Sequence, residues 1–65
     1  MKHFKYLVTF HSFWVKPEDY LVNTIDEVNE LKHEGINQQY KVTVQEGDFI
    51  LKQGSWFDNN TQSYI

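Results

Sequence analysis

With 65 residues the chain has room for one domain and no second core, and without cysteine it has no disulfide framework, thiolate metal site or cysteine nucleophile. A net charge of −3, with every basic residue a lysine, argues against nucleic acid as a direct partner, since such binders rely on a positive field and on the arginine fork. Five Phe, four Tyr and two Trp supply core material that a disordered chain lacks.

Residues 1–9 are charged, with no continuous apolar run and no small-residue cleavage site, so no secretory leader is expected. No segment approaches the roughly 20 apolar residues of a membrane span. A soluble, cytoplasmic domain is the expectation, with no membrane partner.

Residues 4–14 alternate. Phe4, Tyr6, Val8, Phe10 and Trp14 share one face, and Lys5, Leu7, Thr9, His11 and Phe13 the other, which predicts a strand. Lys16-Pro17 ends it. Proline suits the first position of a helix, and Glu18 and Asp19 suit its positive end. Residues 17–34 are therefore predicted helical, with Leu21, Ile25 and Val28 as the apolar stripe and Tyr20, Thr24 and Leu31 beside it. Gly35 is placed as the left-handed cap, with Ile36 packing back on the last turn.

Tyr40, Val42 and Val44 alternate with Lys41, Thr43 and Gln45 as a second strand. Glu46-Gly47 reads as a two-residue turn into a third strand at residues 49–52. Ser55-Trp56-Phe57 extends that strand past a bulge at Gly54, and residues 58–65 read as a polar tail expected to fray. The predicted fold class is α+β: a two-layer β-α-β-β domain over residues 1–65. Its three-stranded, mostly antiparallel sheet has order 1-3-2, with one helix on one face.

The charge is polarised. Residues 17–34 hold six acids and one lysine, and the rest of the chain holds three acids and five lysines. At 100° per residue Asp19, Asn23, Asp26, Glu30 and Glu34 form a row opposite the apolar stripe, with Glu27 beside it. Carboxylates one helical turn apart are spaced by about 6 Å along the axis, near the phosphate spacing of a nucleic-acid strand. The sharp reading is a DNA-mimicking face for a basic groove on a nucleic-acid-binding protein. The plain alternative is an ordinary solvated helix face.

Two further groups bear on binding. Leu7, Phe13 and Ile50 point away from the helix, where a covered-on-one-side sheet should be polar, which suits a protein partner or a homodimer. Trp14, Trp56 and Phe57 are read as closing the open end of the core, with Trp56 also an interface anchor candidate.

Catalytic signals are absent. His3 and His11 lie about 27 Å apart along one strand, too far to share a metal, and His33 stands alone. The glycines are isolated and build no phosphate loop. No metal, cofactor or catalytic residue is assigned. The small size and Lys/Asn/Ile-rich style resemble the accessory proteins of bacteriophages, with no motif behind the likeness. The expectation is a non-enzymatic binding module, an inhibitor offering Asp19, Asp26, Glu27, Glu30 and Glu34 to a nucleic-acid-binding protein. The alternative is a homo-oligomeric assembly protein using Leu7 and Phe13.

Overall fold

A computed structural model describes residues 2–65. The elements follow in the order β1 (Phe4–His11), β2 (Glu18–Val22), α1 (Ile25–Asn37), β3 (Lys41–Lys52), β4 (Ser55–Asp58) and β5 (Ser63–Tyr64). The strands form one antiparallel sheet of order β2-β1-β3-β4-β5. The expected three-stranded sheet of order 1-3-2 is corrected by β2. This strand reverses the chain before the helix begins, so α1 delivers β3 antiparallel to β1 instead of parallel to it.

The helix begins eight residues later than the charge pattern suggests. Glu18–Val22 pairs with β1 in the register Phe10↔Glu18, Val8↔Tyr20 and Tyr6↔Val22, so its period is two. Thr24 caps the helix in extended backbone. Its hydroxyl accepts from the Glu27 amide at 3.2 Å and donates to Glu27 Oε1 at 2.9 Å, a Thr-x-x-Glu start signal.

Gly35 lies inside the helix, not at its cap. A Cβ there would stand 2.5 Å from Val42 Cγ2 and 2.8 Å from Phe10 Cε1. The left-handed residue is Gln39, at φ 65. The Tyr40 amide donates to the Gly35 carbonyl at 2.9 Å and the Gln39 amide to that of Ile36 at 3.0 Å, a Schellman closure.

Glu46-Gly47 is not a turn either. β3 runs through it with a bulge, since Phe4 pairs with Phe49 and Tyr6 with Glu46. Gly47 is required because the Phe49 ring occupies its Cβ space, with Cζ 2.7 Å away. The hairpin turn is Gln53-Gly54, both at positive φ, closed by Lys52↔Ser55.

Residues 58–65, expected to fray, form a turn and β5. Asp58 is buried, and its Oδ1 accepts from the amides of Asn60 at 2.9 Å and Asp48 at 3.3 Å. Asp48 Oδ2 accepts from Asn59 Nδ2 at 3.2 Å and its Oδ1 from His3 Nδ1 at 2.7 Å.

The core lies between α1 and the sheet. Val8, Phe10 and Val28 are buried, with Tyr6, Val22, Leu31, Tyr40 and Val42 packed around them. Phe10 stacks on Tyr40 at 5.6 Å and tilts against Tyr20 at 5.0 Å. Phe49 is fully buried beyond the bulge, and Trp56 meets Phe4 edge-on at 5.5 Å. By strand parity Leu7, Ile50 and Phe57 face the other way, yet they too are buried. Phe57 is covered by Tyr64, edge-on at 5.1 Å, and by Lys52 Nζ at 4.4 Å from the ring centroid.

Candidate functional site

Two faces of α1 are settled by its contacts. Val28 and Gly35 point into the core, and Leu31 leans toward β2. Helical periodicity then turns Glu27, Glu30 and Glu34 outward on the β2 side. They rim a groove of ≈ 290 Å³ whose floor is Tyr20, Leu21, Val22 and Leu31. The groove runs between the helix and β2, which is an edge strand.

Glu18 adds a further carboxylate at one end, accepting from the Tyr20 hydroxyl at 2.7 Å. That hydrogen bond, with desolvation and the negative fields of Glu18 and Glu34, raises the Tyr20 pKa. Glu34 accepts a long contact of 3.4 Å from Gln38. Among the described residues the only ion pair is His3–Asp48, so Asp26 and Glu30 are not held by any of the chain's own lysines. The helix therefore contributes Asp26, Glu27, Glu30 and Glu34 to one exposed flank.

The other expected site residues are scattered. Asp19 is on β2, accepts from the Thr9 hydroxyl at 2.9 Å and faces away from the helix. It does not join the helical row, because residues 18–22 are a strand. Leu7 is 7% exposed, so the chain's own packing covers it. Trp56 is half-buried against Phe4, as a core-closing residue would be.

Phe13 leaves the strand and enters the loop joining β1 to β2, where it is 100% exposed. Trp14 beside it is 92% exposed and closes no core. This loop tip, with Val15 also exposed, is a surface that the alternation pattern hides, because it assigns both rings to a continuing strand. The signal that separates them is Pro17, which cannot donate to a strand ladder and shortens β1.

Among the described residues no three His, Cys, Asp or Glu side chains converge as metal ligands. His11 Nε2 contacts Thr43 Oγ1 at 3.0 Å, remote from the His3–Asp48 pair. Among the described residues no helix is long and apolar enough to cross a membrane. Comparison with protein-family models, curated proteins and solved structures finds no match for this chain.

Proposed function

We propose that the chain is a non-enzymatic protein-binding module whose contact surface is the acidic flank of α1 with the groove beneath it. Its partner is a protein with a basic surface, of the kind that otherwise holds nucleic acid, and the module acts as that protein's inhibitor. The observation that carries this reading is the state of Asp26 and Glu30. Both are exposed, and among the described residues neither forms an ion pair with a lysine.

Unpaired carboxylates one turn apart on a rigid helix present negative charge at fixed spacing, without the entropy loss of ordering a flexible tail. The apolar floor of Tyr20, Leu21, Val22 and Leu31 gives a partner side chain something to bury, which charge alone does not. Steering by the acidic flank speeds encounter and makes it depend on salt.

The test is competition. The immobilised chain captures proteins from a cell extract, and duplex DNA is then added. The reading requires that the captured protein bind DNA and that DNA displace it. It also requires that Asp26→Lys with Glu30→Lys abolish capture at low salt while circular dichroism stays unchanged. Capture that survives the double reversal removes the acidic flank from the interface.

A further inference from the structure

The sheet has a second edge that its strand order conceals. β3 is twelve residues long, but β4 pairs only with its last four, in the register Phe49↔Asp58 to Lys52↔Ser55. The Asn59 amide reaches back to the Asp48 carbonyl at 2.9 Å, and the pairing stops there. Among the described residues, Lys41 to Glu46 is bonded to β1 on one side and to no strand on the other. The core ends abruptly at that line. Val8 is 0% exposed, while Val44, directly opposite it on the same face, is 42% exposed.

The helix leaves a matching surface above this edge. Gly35 touches both Phe10 of β1 and Val42 of β3, so α1 straddles the seam between those strands. Its acidic flank faces β2. Periodicity puts Ile25, Asn29, Lys32 and Ile36 on the opposite flank, toward the free edge, and both isoleucines are more than half exposed. The free edge and its apolar, acid-free overhang form one surface.

We propose that this surface pairs with a second copy of the chain, β3 against β3, about a two-fold axis through Thr43. Antiparallel pairing about that point sets Thr43 beside its own copy and Val42 beside Val44 of the other chain. Both are favourable cross-strand pairs, and no like charges stand directly opposite. The helices fit the same axis. Gly35 lies over Val42, and Val28 packs against Val8, the partner of Val44. The middle of α1 therefore sits above Thr43, and the dyad brings Ile25 of one copy toward Ile36 of the other.

Spacing agrees as well. Strands lie about 4.8 Å apart. A helix over the β1–β3 seam is half a spacing inside β3, so the two helix axes end about 10 Å apart, within the 8–10 Å typical of packed helices. The β2 edge is the poorer candidate, because it is only five residues long and carries the charged Glu18 and Asp19, which blunt an edge against pairing. β5, with two residues, is too short. Both acidic flanks stay free on the outer sides of the joined sheet.

One like-charge encounter remains, between Lys32 and its copy near the axis. Long side chains can turn away from such a contact, and salt screens it. Salt therefore tightens the dimer, opposite to its effect on capture through the acidic flank.

The test is the mass of the whole chain by light scattering over a dilution series. The expected result is twice the 7.8 kDa chain mass at high concentration, falling to one chain on dilution. Val44→Lys remains a single chain at every concentration with its circular dichroism unchanged, and Lys32→Leu shifts the transition to lower concentration. Directly opposed residues of an antiparallel pair have Cα atoms about 4.5–5.5 Å apart, within disulfide reach. Thr43→Cys therefore forms a covalent dimer under mild oxidation and Asp19→Cys on the β2 edge does not. This readout stands alone if Val44→Lys fails to fold. A wild type of one-chain mass at every concentration, a dimer that survives Val44→Lys, or cross-linking at position 19 as fast as at 43 overturns the proposal.

Discussion

A methyl group on Gly35 would meet Val42 Cγ2 at 2.5 Å and Phe10 Cε1 at 2.8 Å, and both of those side chains are packed in the core. Glycine within a helix gives up about 1 kcal/mol relative to alanine. Overpacking a filled core costs about 1–3 kcal/mol. Since Phe10 is held between Tyr20 and Tyr40, the packing loss wins. Gly35→Ala is expected to lower the urea midpoint, by a stability loss of about 1 kcal/mol.

Asp48 is a different kind of residue. The hydrogen bond from His3, then that from Asn59, holds its carboxyl below the ordinary value of 3.8. A carboxyl depressed in the folded state stabilises the fold above its unfolded pKa, and the effect fades as pH falls through the folded one. The contribution is thus present above about pH 4 and lost in stronger acid. His3→Ala should move the Asp48 titration, followed by NMR, upward toward 3.8. An unmoved titration would mean that His3 does not act on Asp48.

Among the elements, β1 was legible because eight residues alternate without interruption around a buried face. The helix was legible in its second half, where Val28 and Leu31 keep helical spacing, and misread in its first. Pro17, Glu18 and Asp19 have the chemistry of a helix start, and the Thr24–Glu27 cap seven residues later competes with them. With the cap at Thr24, Glu18–Val22 is free to take backbone partners on β1, and Val22 packs against the core.

Turn chemistry failed in the same way. Glu46-Gly47 and Gln53-Gly54 are equivalent as sequence, and only the packing of Phe49 over Gly47 makes the first a bulge. The acidic site was half legible. Asp26, Glu27, Glu30 and Glu34 share a flank through local periodicity, whereas the groove floor from β2 depends on a strand the pattern did not show. Thr24→Ala should cost about 1 kcal/mol through loss of the cap. Gln53→Asn should raise stability by a few tenths of a kcal/mol or more, because asparagine tolerates the left-handed backbone better. Thermal unfolding of both variants checks the two turns independently of binding.

At the scale of the molecule, one short helix on one face of a thin sheet overlooks two of its edges. Its core-facing line of Val28, Leu31 and Gly35 is narrow. The flanks are therefore free, one acidic toward β2 and one apolar toward the open edge of β3. A domain this small buries only about 60% of its unfolded surface, so an open strand edge is a weakness that pairing removes. The loop carrying Phe13 and Trp14 lies beside the start of β3 at Lys41 and keeps its rings in water.

The role of the acidic flank is tested most directly by titrating a lysine-rich peptide into isotope-labelled protein and mapping amide shifts by NMR. The expected shifts concentrate on residues 20–22 and 26–34, weaken with added salt and vanish in Asp26→Lys with Glu30→Lys. Shifts of equal size at Asp19, Asp48 and Asp58, or none at the helix, would contradict a built recognition surface there.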